Sequence, residues 1–232
     1  MKCNLHPMDS IRTGNLRWHD YITINIYYLG LTLLTQVMAP LVIPLLVQQF
    51  VGEARQGQYF GIARLGALMV ALLTQALAGM LSDRSTSRFG RRRPFVLGGT
   101  LACLGMIVGI GLSPMIGGMA GFWFLFVMYA LQQMFANVAQ SGQQGLIPDL
   151  VPEEKRGAFS GVKALFEVPL PIVLGYFTTA RLVGAGNLWG ALLVLMGVLL
   201  VTMLATMAVP EQPLAVSPPP LDWQPFVRVV LM

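Results

Sequence analysis

The sequence predicts an all-α membrane protein in which six transmembrane helices form one bundle, and three observations support this prediction. Hydrophobic residues make up 55% of the 232 residues and charged residues only 11%, against about a quarter charged in soluble domains. Six apolar stretches are each long enough to cross a bilayer, which takes about 20 residues. Basic residues collect in alternate loops. The composition therefore excludes a water-soluble enzyme, whose surface must be largely polar.

The six apolar stretches follow one another along most of the chain. None shows the alternation with a period of two that strands need, and the first is too long for a cleaved signal peptide. Two proline pairs, Pro40 with Pro44 and Pro169 with Pro171, are expected to distort the first and fifth spans. We therefore predict a tail at residues 1–20, a bundle at 21–209 and a proline-rich tail at 210–232. The predicted spans are residues 21–47, 59–81, 95–112, 121–143, 159–180 and 188–209.

The loop charges predict the orientation of the bundle. With the N-terminus in the cytoplasm, the only basic residues in the outer loops are Arg55 and Arg181. The positive-inside rule then places both termini in the cytoplasm, as in a protein of a bacterial inner membrane. The net charge of +5 is accounted for by this orientation, so we predict lipid contacts and no nucleic-acid partner. The basic residues on the inner side are Lys2, Arg12, Arg17, Arg84, Arg88, Arg91, Arg92, Arg93, Lys155 and Arg156.

The amino-acid composition of the chain changes after the sixth span. Five prolines fall within residues 210–220, and residues 221–232 are again mostly apolar. Two interpretations stay open: the start of a seventh helix that the chain does not continue, or a short amphipathic tail on the membrane surface.

The most specific local pattern is the loop between the second and third spans, GMLSDRSTSRFGRRRP at residues 79–94. Asp83 ends one helix, and the arginines Arg84, Arg91 and Arg92 precede the next. Gly79 is expected to permit close helix approach, and Gly90 a tight turn. An ordinary basic inner loop would explain the arginines, but not an aspartate and two glycines at these positions.

This loop resembles the signature loop of the major facilitator superfamily, nearest to the sucrose transporter and glycoside–pentoside–hexuronide cation symporter branch. The segment IPDLVPEEKRG at residues 147–157 is similar to a second loop of these carriers. The resemblance implies the N-terminal half of a carrier that works by alternating access. It also implies that Asp83, Arg84, Arg91 and Arg92 form a conformational switch. In the family the aspartate meets an eleventh helix, so a chain that is not truncated would need a second six-helix bundle, from a second copy or a separate chain.

Two polar stripes lie within the spans. Asn25, Tyr28, Thr32 and Gln36 share one face of the first span, and Gln133, Asn137, Gln140 and Gln144 share one face of the fourth. Amides donate and accept hydrogen bonds, which suits a hydroxyl-rich solute such as a sugar. They also bond helices to one another, and both interpretations stay open.

Three charged residues lie within the predicted spans. Glu167 is a candidate for coupling transport to H+ or Na+, since intramembrane carboxylates are commonly functional. Lys163 lies one turn earlier, so the alternative is a structural ion pair. Melibiose-type relatives have cation-binding carboxylates on the second span, but here the only charge is Arg64. That side chain is expected to extend to the membrane surface.

No site for covalent chemistry is predicted. The sequence contains neither a P-loop nor a nucleophile-elbow motif, and its two histidines lack metal-ligand spacing. We therefore predict no enzyme activity, cofactor or metal. The functional hypothesis is a secondary transporter of a small polar solute. The alternative is a non-transporting membrane assembly or partner protein, because relatives of this fold include light-harvesting complex assembly proteins.

Overall fold

A computed structural model of the chain describes residues 18–85, 87 and 89–208. Most of both predicted tails therefore lies outside the described residues, including the proposed start of a seventh helix. The described part is helical and contains six helices that are long and apolar enough to cross a membrane. This number confirms the predicted fold class. The six are α1 (Trp18–Val51), α2 (Glu53–Asp83), α3 (Arg93–Met115), α4 (Gly118–Leu150), α5 (Glu153–Gly184) and α6 (Leu188–Met207).

Two of the six helices are irregular, and both contain the predicted prolines. In α1 a π-helical turn at Met38–Val42 separates the segments Trp18–Val37 and Ile43–Val51. In α5 the helix Glu153–Glu167 is interrupted at Val168, and a second π-helical turn follows at Gly175–Ala180. Proline lacks the backbone N–H that would continue the helical hydrogen bonding, which accounts for both distortions.

Helix α1 is the central element of the bundle. It packs against α5, α6 and α2 and contacts α4 near both ends of that helix, while α4 packs along α2 and α3. In its most apolar stretch 61% of α1 is buried, against 22% for α2 and 11% for α5. Leu72 and Leu73 on α2, like Ile172 and Val173 on α5, are exposed. These two helices therefore leave broad apolar surfaces for lipid or for another protein.

Among the close helix contacts, one glycine between α3 and α4 lies directly against the backbone of its neighbour. A Cβ atom on Gly99 would lie 2.7 Å from the backbone nitrogen of Ala139 and 2.8 Å from the carbonyl oxygen of Phe135. Because these are backbone atoms, no side-chain movement could relieve the contact. The absence of a side chain therefore sets the spacing of the two helices.

Candidate functional site

An ionic cluster joins three helices at the end of the bundle where α2 ends and α3 begins. Arg92 Nη1 lies 2.6 Å from Asp83 Oδ1, and Arg92 Nε lies 2.9 Å from Asp149 Oδ2. Arg91 Nη2 lies 2.8 Å from the other oxygen of Asp149. Arg92 also donates to Ser82 Oγ at 2.9 Å. We call these five residues the clasp, and this end of the bundle the basic end.

Arg92 is the centre of the clasp. Its side chain is only 5% exposed, while Asp149 is 26% and Asp83 62% exposed. Desolvation by burial acts to lower the pKa of Arg92, but the hydrogen bonds and charges of Asp149 and then Asp83 outweigh it. The pKa of Arg92 is therefore raised above its ordinary value, and the guanidinium stays charged.

Gly145 leaves space for the clasp and Gly90 forms the turn before it, whereas Gly79 makes no close helix contact in this bundle. A Cβ on Gly145 would overlap the guanidinium of Arg92, so only glycine leaves space for that side chain over α4. Gly90 has a φ of 107°, which confirms the predicted turn because side chains disfavour this conformation. The expectation for Gly79 is wrong in this bundle, since a Cβ there would meet nothing within 4 Å.

The clasp contains two residues that the sequence did not predict, Ser82 and Asp149. The predicted switch residues Asp83, Arg91 and Arg92 come together, and Arg84 follows directly at the end of α2. Asp149 was not predicted as a site residue, although it lies within the second motif. Its partners are 57 and 58 residues away in sequence, so periodicity alone could not have found it.

The polar stripe on α1 divides into a packed part and a more accessible part. The side chain of Asn25 is fully buried and its Nδ2 donates to the carbonyl oxygens of Tyr21 at 2.9 Å and Phe159 at 3.3 Å. Asn25 therefore joins α1 to α5, as expected if this part of the stripe bonds helices together. Tyr28 is also buried, Thr32 is half-buried, and Gln36 is exposed beyond it.

One amide of the stripe on α4 is held by a hydrogen bond to the backbone of the same helix. Gln133 is buried at 7% exposure, while Asn137 and Gln140 are half-buried. Asn137 Nδ2 donates to the carbonyl oxygen of Gln133 at 2.8 Å. Gln143, one position outside the stripe, donates to the carbonyl oxygen of Ile24 on α1. Gln132, also outside the stripe, donates to Cys103 Sγ on α3 at 3.7 Å. Two amides of α4 therefore bond helices together, while Asn137 and Gln140 stay half-buried.

Lys163 and Glu167 form an ion pair within α5, with Nζ and Oε1 3.3 Å apart. The pair faces α1, because the Lys163 ammonium lies 4.5 Å from the centre of the Tyr28 ring. Lys163 is 27% and Glu167 34% exposed, so both groups are reachable from outside the packed core. The Tyr28 hydroxyl is buried without a hydrogen-bond partner among the described residues.

Arg64 does not extend to the membrane surface as expected. Its Nη1 donates to Tyr129 Oη on α4 at 2.8 Å, and Tyr129 is only 1% exposed. The reason is that α2 packs along α4 through small residues such as Ala63 and Ala67. The guanidinium therefore reaches a buried hydroxyl more easily than the outer surface.

These features define a class: a polytopic membrane protein of six helices, with ionised and amide side chains inside the bundle and an ionic clasp at one end. Comparison with known proteins makes the class specific. The model of the Major Facilitator Superfamily matches residues 21–230, and the chain belongs to this family, whose members are membrane transporters and not enzymes.

The chain is also similar to the sucrose transport protein SUC4 of Arabidopsis thaliana. The two are 31% identical over 137 residues, which is 51% of this chain and 24% of that protein. This chain therefore spans about a quarter of the length of the relative it matches. The similarity supports the sugar-transporter-like branch that the sequence motifs indicated.

Proposed function

We propose that this chain is one six-helix bundle of a secondary transporter, which moves a small hydroxyl-rich solute such as a sugar by alternating access. The observation that carries the proposal is the position of the Lys163–Glu167 pair beside Tyr28, inside a bundle of a transporter family. Ionised groups within a membrane-spanning helix are costly in lipid, and they occur mainly where they face a transport pathway or one another. The amides of α4 supply donors and acceptors for hydroxyl groups.

The clasp gives this transporter its conformational switch. It ties the end of α2 and the start of α3 to the end of α4, while Asp83 stays 62% exposed. An exposed carboxylate on a fixed support is suited to meet a second bundle in one access state and release it in the other. We place the basic end in the cytoplasm of a bacterial inner membrane, following the positive-inside rule.

A second six-helix bundle, from a second copy or a separate chain, completes the proposed transporter. The exposed apolar surfaces of α2 and α5 support this part of the proposal. Light scattering of the purified chain in detergent tests the homodimer directly, with twice the chain mass expected. A monomer that transports solute unaided would contradict the need for a second bundle.

Uptake by the full chain reconstituted in liposomes tests the transport proposal. We expect a panel of radiolabelled sugars and polyols, sucrose included, to contain at least one solute that enters faster than into protein-free liposomes. Excess unlabelled solute should abolish that difference. Uptake equal to that of protein-free liposomes for the whole panel, with correctly inserted protein, would contradict the proposal.

Replacing Glu167 with glutamine is expected to lower gradient-driven uptake by about tenfold or more, since it removes a charge-assisted interaction inside the bundle. Uptake driven by a proton gradient and by a sodium gradient should be measured separately to identify the coupling ion. Solute exchange without a gradient should persist. Glu154→Gln, an exposed carboxylate on the same helix, is the matched control. Gradient-driven uptake equal to that of the unmodified chain would show that the Lys163–Glu167 pair is only structural.

A further inference from the structure

The charges inside the described bundle do not balance. Away from the helix ends, the six helices contain three ionised side chains, Arg64, Lys163 and Glu167. Lys163 and Glu167 neutralise each other at 3.3 Å. Among residues 18–85, 87 and 89–208, Arg64 forms no ion pair with a carboxylate, and its hydrogen-bond partner is the neutral hydroxyl of Tyr129. The interior therefore has one uncompensated positive charge.

The guanidinium of Arg64 is directed into the bundle. On α2 its neighbour Ala63 is buried, while Leu65 on its other side is 65% exposed. Arg64 itself is half-buried, and the hydroxyl it binds belongs to a residue of the main hydrophobic core. A half-buried charged group on an apolar membrane-spanning helix is costly unless an opposite charge joins it.

The surroundings of Arg64 extend the binding surface along α4. Gln133 and Asn137 follow Tyr129 by one and two helical turns, about 6 and 12 Å along the helix axis. One face of α4 thus presents a phenol and then two amides, with a guanidinium beside the phenol. A guanidinium binds a carboxylate through two parallel hydrogen bonds, and the amides suit hydroxyl groups.

We infer that Arg64 anchors an anionic group of the transported solute, which is therefore a small hydroxylated acid rather than a neutral sugar. This inference rests on the proposed transport function. It assigns the carboxylate end of the solute to Arg64 and Tyr129, and the hydroxyl groups to Gln133 and Asn137. The solute then supplies the negative charge that the described bundle lacks.

Matched pairs of acids and polyols test the inference on the full chain in phosphatidylcholine nanodiscs. Gluconate is compared with sorbitol, and glycerate with glycerol, by thermal unfolding and equilibrium binding. We expect at least one acid to bind about tenfold or more tightly than its neutral counterpart, as one charge-assisted pair provides. Arg64→Gln should remove this preference. Arg55→Gln, an exposed arginine on the same helix, should keep it.

A lysine variant keeps the test decisive if Arg64→Gln does not fold. Arg64→Lys retains the charge and should retain part of the preference for the acids. Equal binding of acids and polyols by the unmodified chain, no binding of any acid, or an acid preference that survives Arg64→Gln would each overturn the inference. Stabilisation by phosphatidylglycerol alone, lost in Arg64→Gln, would assign Arg64 to a lipid headgroup and also overturn it.

The outcome separates this inference from the proposed function. Uptake of a neutral sugar at equal rates by the unmodified chain and by Arg64→Gln would overturn the anion site and leave transport standing. Failure of every solute to enter, with none bound, would overturn both.

Discussion

Replacing Arg92 with glutamine is expected to destabilise the bundle by about 3 kcal/mol. Arg92 is the common partner of Asp83, Asp149 and Ser82. Glutamine would remove the cation that Asp83 and Asp149 share and leave Arg91 as their remaining partner. Removing one partner of a buried ionic group typically costs about 3–5 kcal/mol. The exposure of Asp83 lowers the expectation to the bottom of that range. Thermal unfolding of the purified protein in detergent measures it.

Two further variants identify the cause of the Arg92 effect. Lys155→Gln removes a half-buried basic residue at the same end of the bundle, which forms no ion pair among the described residues, so it should change stability little. Arg92→Lys keeps the charge but loses the forked geometry, so an intermediate loss is expected. If Arg92→Gln unfolds at the same temperature as Lys155→Gln, the clasp does not stabilise the bundle.

Replacing Gly99 with alanine is expected to destabilise the protein by about 2 kcal/mol or more, because one added methyl group must separate two helices. Its Cβ would lie 2.7 Å and 2.8 Å from backbone atoms of α4. Overpacking of a well-filled contact costs about 1–3 kcal/mol. Backbone atoms cannot change rotamer to relieve the overlap, so the two helices themselves must move apart. Thermal unfolding again measures the loss.

The adjacent Gly98 provides a matched control for this substitution. A Cβ on Gly98 would meet nothing within 4 Å, and alanine favours a helix over glycine by up to about 1 kcal/mol. Gly98→Ala should therefore be neutral or slightly stabilising. Similar losses in both variants would mean that the close approach at Gly99 is not what holds α3 to α4.

The fold was largely predictable because hydrophobicity acts over stretches as long as a bilayer is thick. Six spans, the proline-distorted helices and the turn at Gly90 all follow from local composition or local stereochemistry. Helix packing was not predictable in the same way. Gly79 and Gly99 look alike in sequence, yet only Gly99 lies against a neighbouring backbone, since this depends on which helices become neighbours.

The sequence predicted contacts of the candidate site that lie within one helix, but not those that join different helices. Helical spacing correctly placed Lys163 near Glu167. It did not reveal that Asn25 faces the carbonyl of Phe159, or that Arg64 reaches Tyr129. Asp149 joins the clasp across 57 residues. Each of these contacts links different helices, and a single sequence contains no record of such pairing.

One guanidinium shared among three helix ends also has a mechanical consequence. The end of α2, the start of α3 and the end of α4 cannot slide past one another without breaking the bonds of Arg92. In the proposed alternating-access cycle, these three helix ends would therefore move as one unit. Helix α5 contains two proline-linked irregularities. We therefore expect α5 to bend more easily than these three helix ends can move apart.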